Sequence, residues 1–472
     1  MASARGRRAQ EPGQPSSASL LGASALLLGA GLGGVLGCAS EPATTPSPDA
    51  AVDAGAAADA GGPAVTFFRD VKPIIDARCV ACHQAGSIGP FELTDPETVA
   101  DLAPVIKNQI DNGLMPPWPP SEDCRTYRHD RSLDEAERAT LDAWFAEGAP
   151  LGDPSTEGPP LPSAVGGLSR VDLELQVPEP YTPEGRDDYH CFVIPWPGDG
   201  TRFVTGFGLE PGNPALVHHA NMYLTTPLGA GRYTARQEAA PGPGFPCFGG
   251  IVDPEVSLMG AWAPGSIGLE YPEGTGIQVD PGSALVLEMH FDTSSGGTGP
   301  DQSTVLVQTA PEVARRAAIL PLIDFDWPSG QMPIPAGASS VRHEVQLEGL
   351  VLQEAVRFLA PWLAGQPLAI HGAGLHMHYL GARGRMEVGR FASSECVIDI
   401  PRWDFDWQSG YILEDSIPFD PTRDSIRLAC EFDNSADNQP VIDGAQRAPA
   451  DVNWGTSSQD EMCIGYLYVT TR

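Results

Sequence analysis

Positive charge is scarce in this chain. Its 472 residues carry 28 Lys and Arg against 61 Asp and Glu, a formal net charge of -33. Such a chain is repelled by nucleic acid and by anionic lipid head groups, so neither is an expected partner. The charge says nothing about chemistry. Helix-bundle composition is missing as well. There are 53 glycines and 47 prolines, well above the roughly 12% of average usage, and short strands joined by turns are expected. A length of 472 residues leaves room for about two to four domains, each with its own core.

The nine cysteines sort by position. Cys38 closes an apolar run from Leu20 to Gly37 that follows Arg5, Arg7 and Arg8. Residues 1–38 are expected to be an export signal of the bacterial lipoprotein type, with Cys38 acylated. An uncleaved membrane helix is the alternative, the run being just long enough at about 18 residues. Either places the bulk of the chain outside the cytoplasm, in the periplasm, at the outer membrane or at the cell surface. The N-terminal lipid would be the membrane contact. Residues 39–64 are Ala, Pro, Asp and Thr with almost nothing to bury, and read as a disordered tether.

Cys79-Val80-Ala81-Cys82-His83 is a CxxCH, the attachment signature of haem c. Cys79 and Cys82 would bond the porphyrin and His83 would ligate iron. No second Cys or His pair follows nearby, which disfavours zinc, and no βαβ pattern surrounds it, which disfavours a thioredoxin-type pair. Met115, in the stiff Leu114-Met115-Pro116-Pro117-Trp118-Pro119-Pro120, is the expected second axial ligand of an electron-transfer haem. A helix is expected over Val71–Ala77. Another should begin at Ser132 as N-cap with Glu135 closing a capping box, run through Trp144-Phe145, and stop at Gly148. Residues 65–153 thus read as a small all-α c-type cytochrome domain, and 154–168 as a linker.

Cys124, Cys191, Cys247, Cys396, Cys430 and Cys463 form an even set. In an exported chain they are expected to form disulfides. The count does not give their pairing.

Gly374-Leu375-His376-Met377-His378-Tyr379-Leu380 places two histidines two apart. On a strand both imidazoles leave the same face and can meet one metal. HxH by itself is also a zinc pattern. Adjacent His218-His219 cannot share a face of a regular strand and must sit at a strand end or a bulge to reach one ion. His290 lies in the alternating run Ser283–Phe291. A thioether such as Met462 favours Cu(I), whereas imidazole binds both copper states. His371 is five before His376, so alternation points it to the opposite face. His129, His190 and His343 have no partner at ligand spacing.

Over roughly its last 300 residues the chain resembles the copper type II, ascorbate-dependent monooxygenases, the family of the peptidylglycine α-hydroxylating and dopamine β-monooxygenases. The resemblance rests on DDYHCFVIP, ALVHHANMYL, LVLEMHFDT, LHMHYLG, IRLACEFDN and GTSSQDEMC, in that order. It implies a mainly β protein with two jelly-roll β-sandwich copper domains, here 169–320 and 321–472, facing each other across a cleft. It implies an electron-relay copper on His218, His219 and His290. It implies an oxygen-activating copper on His376, His378 and Met462, Tyr466 in the substrate pocket, and bridges Cys191–Cys247 and Cys430–Cys463. Cys124 and Cys396 are left over. Peptide-amidating members hold a substrate carboxylate with an Arg where this chain has Gly374 and carry an Asn where it has Ile464, so peptide amidation is not expected.

The expected function is hydroxylation of an aliphatic C–H bond of a small molecule with O₂. Electrons would come from an external, ascorbate-like reductant, an electron-donor protein, or the fused haem reducing the three-histidine copper. The alternative is a non-catalytic copper and haem redox protein. A zinc hydrolase is disfavoured because Met462 is a poor zinc ligand.

Overall fold

Residues 65–153 fold as short helices of 5 to 12 residues. The computed structural model describes residues 64–472 apart from 86, 88, 163–166, 186, 248–252, 267, 294–296 and 443–444. The export signal, Cys38 and nearly all of the tether lie outside the described residues. A π-helical turn at Phe67–Val71 leads into α1 (Lys72–Arg78), followed by α2 (Pro96–Asp101), α3 (Ala103–Asp111) and α4 (Glu135–Ala146). Their inward faces meet around Ile74, Val99, Ile106, Leu141 and Trp144.

The start of α4 corrects the expected capping box. Ser132 donates its hydroxyl to Asp130 and does not cap the helix. Asp134 is the N-cap, its carboxylate accepting from the Glu137 amide while Glu137 reaches back to the Asp134 amide. Glu137 is also buried against Arg78 at 2.9 Å. Residue 137 therefore serves both the cap and the bond between α1 and α4, which Glu135 on the exposed side cannot do. Gly148, at φ 81°, ends the helix region as expected.

The remainder is mainly β. A five-stranded sheet runs Phe245–Pro246, Asp187–Pro195, Ala284–Asp292, Val217–Thr225, Val256–Trp262. A four-stranded sheet runs Val341–Leu347, Ser425–Phe432, Gly381–Arg390, Ser393–Ile400. Between them, a nine-stranded sheet is continuous from Leu173–Gln176 to Gly410–Phe419. Its middle is the strand Arg315–Leu322, parallel to Thr275–Val279 over two residue pairs and antiparallel to Ile464–Thr471 over six. The division expected between 320 and 321 falls inside this strand. The two β halves are thus joined by backbone hydrogen bonds, and they keep separate cores, one around Met222 and Phe291, the other around Ile370 and Phe432.

The six cysteines close three disulfides, Cys124–Cys396, Cys191–Cys247 and Cys430–Cys463. Three such bonds fit an oxidising compartment. Among the described residues no helix is long and apolar enough to cross a membrane. The pair left over in the sequence is the one with the longest reach. Cys124 lies in the strap 116–131 that follows α3, and Cys396 lies in the strand Ser393–Ile400. The strap adds to the edge strand Gly410–Phe419 through a bridge between Tyr127 and Leu413 and through the Arg128 amide, which donates to the Ile412 carbonyl. Arg125 pairs with Glu395 at 2.6 Å, and Tyr127 is buried in the core of the second half. An exposed sheet edge is thereby covered. Replacing Cys124 and Cys396 together by Ser should cost about 2–5 kcal/mol of stability, the usual loss for a native disulfide. Chemical denaturation of the double variant checks this, and an unchanged midpoint would contradict it.

Candidate functional site

The three histidines of the first cluster come together through a fault in strand pairing. Val217–Thr225 runs antiparallel to Ala284–Asp292, with Val217 opposite Phe291 and His219 opposite His290. His218 is the extra residue of a bulge between these pairs. A bulge puts two consecutive side chains on one side, which a regular strand forbids. The Nδ1 atoms converge: that of His219 is 3.0 Å from that of His218 and 3.3 Å from that of His290. Imidazole nitrogens that share an ion at about 2.0–2.1 Å stand roughly 3–3.4 Å apart.

The outer nitrogens explain why Nδ1 is the atom turned inward. His218 Nε2 donates to Asp406 at 3.0 Å, and His290 Nε2 donates to Asp187. Each carboxylate fixes the proton on Nε2 and leaves the Nδ1 lone pair free. Tyr189 stacks on the His290 ring at 4.1 Å. Burial holds His219 well below the ordinary imidazole range, with its histidine neighbours adding to the shift, and lowers His290 as well. Both shifts favour the neutral ring, the state a metal requires. Cys191, Cys247 and Glu288 also lie close together, but the two sulfurs are disulfide-bonded and offer no thiolate.

The second cluster presents the other nitrogen. The strand Leu368–His376 ends at the first histidine of the HxH, and the alternation continues past it: Met377 is fully buried in the core while His376 and His378 border a cavity. His376 Nδ1 donates to Gln408 Oε1 at 2.6 Å, and His378 Nδ1 donates to the Asp460 carbonyl at 3.0 Å. Both partners can only accept, so both rings keep Nε2 unprotonated. The rings stand 5.0 Å apart at 84°. Met462 borders the same cavity and is almost fully buried. Glu461, without exposed surface, joins the two segments. Its Oε2 accepts from the amides of His378 and Met462 at 2.9 and 3.2 Å, and its Oε1 from Leu380 at 2.6 Å. Burial pushes its carboxyl up to about 8 against the pull of these amides.

The cavity, of about 190 Å³, is bordered by His219 of the first cluster and by His376, His378 and Met462 of the second. That is room for on the order of ten waters, or one small organic molecule. Its walls are rich in aromatics, among them Trp118, Trp262, Trp407, Tyr411 and Tyr466. Gly374 and Ile464 border it too. The strap contributes Trp118, Arg128, His129 and Arg131 to its lining. The loop 403–408 links both clusters: Asp406 meets His218, Gln408 meets His376, and Phe405 stacks on His218 and stands edge-on to His378. None of Asp187, Asp406, Gln408, Glu461 or the strap residues announces itself in the sequence, since each acts across a long chain separation.

The other histidines divide. His371 sits at a bulge, bonds Thr470 at 2.9 Å and stays out of the cavity wall. His190 meets the Pro243 carbonyl and His343 the Pro333 carbonyl. His129, without a partner in sequence, borders the cavity.

In the CxxCH segment Cys79 and Cys82 are free thiols, both partly buried. Burial raises both, Cys79 to about 12, which keeps them from acting as a thiolate pair. His83 Nδ1 donates to the Phe91 carbonyl at 3.0 Å, leaving Nε2 available. Met115 is half-buried just before the strap.

No family model matches the chain, and no curated protein matches it. Among solved structures it is similar to the major capsid protein P2 of bacteriophage PM2, at 9% identity and a TM-score of 0.24, over 63% of this chain and 97% of that one. It is also similar to a peptide-N(4)-(N-acetyl-β-D-glucosaminyl) asparagine amidase, at 8% identity and a TM-score of 0.26, over 63% of this chain and 96% of that one. Likenesses this distant carry no argument about function.

Two outcomes follow from the buried groups. Burial lowers His371 and His376 to about 4 and His378 to about 3. Unfolded, they titrate near 6.5. Below that value the unfolded chain takes up protons that the folded chain refuses. The metal-free protein should therefore keep this stability above about pH 6.5 and lose it progressively as pH falls towards about 4. Urea midpoints across that range check the slope, and a flat profile would contradict it. Glu461→Gln should cost about 1–3 kcal/mol, because the NH2 that replaces one of its two accepting oxygens cannot accept from the buried N–H it faces. Equilibrium denaturation reads this directly.

Proposed function

We propose that this chain is an exported copper-dependent monooxygenase that hydroxylates an aliphatic C–H bond of a small molecule bound in the cavity. The observation that carries this reading is the pair of donor sets at one chamber: three converging Nδ1 atoms on one side, and two free Nε2 atoms with a thioether on the other. His218, His219 and His290 would hold one copper, and His376, His378 and Met462 the second. Bound copper supplies one-electron redox chemistry and, at the thioether site, a place for dioxygen. Cys79 and Cys82 would carry haem c, with His83 and Met115 as its axial ligands, and bound haem supplies electron transfer. Two jelly-roll sandwiches preceded by a c-type cytochrome domain is the architecture that goes with this reading, and a lipid at Cys38 would hold the protein at the membrane surface.

The chain's own part is to orient and to exclude. Asp187 and Asp406 fix the rings of the first set, while Gln408 and the Asp460 carbonyl fix those of the second. The aromatic wall keeps water from the reacting region and gives an apolar substrate its place. Cys82 approaches the Gly265 carbonyl to 4.0 Å, and a Cβ at Gly265 would stand 3.4 Å from the Trp407 ring. The attachment point for haem is therefore packed against the loop that touches both histidine clusters, which favours delivery of electrons through the fused module.

Purified protein should bind two copper ions per chain and one haem, and with a reductant and ¹⁸O₂ should give a labelled hydroxylated product by mass spectrometry. Met462→Ile should leave the three-histidine copper in place, by metal analysis and spectroscopy, and reduce hydroxylation by at least a hundredfold, losing more than about 2.7 kcal/mol of transition-state stabilisation. Full activity in that variant, or a folded chain that cannot hold two coppers, would overturn the reading.

A further inference from the structure

Among the described residues, the strap carries a cation that makes no ion pair. Arg128, His129 and Arg131 all reach the cavity wall, and the backbone turns at His129 with φ 59°, a conformation side chains other than glycine adopt rarely. Arg128 already faces Glu414 at 4.0 Å. Glu288, across the same cavity, is hydrogen-bonded by Asn221 at 3.4 Å. Arg131 differs from both: among the described residues it makes no ion pair, and its buried Nε has no hydrogen-bond partner. In a chain with 61 acidic residues to 28 basic ones, a guanidinium on a cavity wall left without a carboxylate stands out. Such a guanidinium is a ready donor for an incoming anion.

The surroundings limit what that anion can be. A Cβ added at Gly265 would lie 3.8 Å from Arg131 Nη1 and 3.4 Å from the Trp407 ring, so the guanidinium and this indole are neighbours. The same cavity is lined by Trp118, set edge-on to Tyr411 at 5.3 Å, and by Tyr466. A ligand matching this wall has an apolar body and a single acidic end. The planar fork of Arg matches the two oxygens of a carboxylate.

We propose that the cavity takes small carboxylic acids with an apolar body, that Arg131 holds their carboxylate, and that the strap 116–131 is thereby the specificity wall of the site. This rests on the cavity being the substrate site of the proposed monooxygenase. The strap and its Cys124–Cys396 clamp then have a role besides closing a sheet edge: they keep Arg131 at the chamber.

The test is a binding measurement that does not depend on turnover. The full-length chain is titrated calorimetrically with phenylacetate, 3-phenylpropanoate and 4-phenylbutanoate and with the three matching amides, after chelator treatment and again after copper loading. At least one acid should bind ten times more tightly than its amide in both metal states. Arg131→Met should remove that preference while leaving amide affinity unchanged, and Arg131→Lys should restore part of it. Equal affinity for acid and amide, no binding by any of the three acids, or an intact preference in Arg131→Met would each overturn the assignment. So would a variant whose haem spectrum and potential shift while the acid-to-amide ratio does not, since Arg131 would then belong to the haem. Because the metal-free arm needs no copper, acid selectivity can stand in a protein that proves not to be a monooxygenase, and the two failures are told apart.

Discussion

One buried carboxylate holds the candidate site together. Glu461 has no exposed surface, yet it takes amide hydrogens from His378, Leu380 and Met462. A carboxyl group removed from water is costly to ionise, as its rise to about 8 reflects, and it is tolerated where its oxygens are filled by donors. Here the donors belong to two segments some eighty residues apart, the turn after the HxH and the loop that carries the thioether. Neither segment is regular strand at that point, so neither can place its side chains through sheet pairing alone. The carboxylate does this for them, and the Cys430–Cys463 bond fixes the residue after Met462 to a central strand of the four-stranded sheet.

The two histidine clusters differ in what stands behind them. Carboxylates back the rings of His218 and His290, whereas a neutral amide and a backbone carbonyl back those of His376 and His378. A carboxylate partner makes the far nitrogen a stronger donor, and a neutral one does so less. With a thioether beside the weaker pair, the second set leans towards the lower oxidation state of a soft metal, and the first set is more even-handed. The asymmetry follows from partners outside the donor sets.

What was legible in the sequence is what local periodicity can carry. A doublet such as His218-His219 can reach one ion only at a strand end or a bulge, and the strand supplies a bulge opposite His290. The HxH keeps two rings on one side even though the strand stops at its first histidine. The even cysteine count pointed to disulfides, but which residues pair is a long-range matter, and Cys124 with Cys396 spans 272 residues. Asp187, Asp406, Gln408 and Glu461 were invisible for the same reason: an acidic or amide side chain in a loop reads as a solvated turn until the partner it meets is known. The capping box shifted by two residues because Glu137 also serves Arg78, a tertiary demand that no local motif expresses. The boundary expected at 320 dissolved into a strand because backbone pairing follows the sheet and ignores the halves it joins.

The strap changes how the N-terminal helical segment should be regarded. A module connected by a linker alone is held near its neighbour by effective concentration, and its faces stay interchangeable. This segment is fixed by a disulfide and an ion pair to the strand Ser393–Ile400 and by strand-like hydrogen bonds to the edge of the nine-stranded sheet. Those constraints give it one orientation, with Cys82 against Gly265 and with Trp118 and Arg131 in the cavity wall. The loop 403–408 completes the arrangement, because Trp407 borders the chamber beside Gly265 while Asp406 and Gln408 each hold a histidine. The strap that follows α3 forms part of the cavity wall. Building the wall from it ties the presence of the module to the shape of the pocket, so the cavity is complete only when all three parts of the chain have docked.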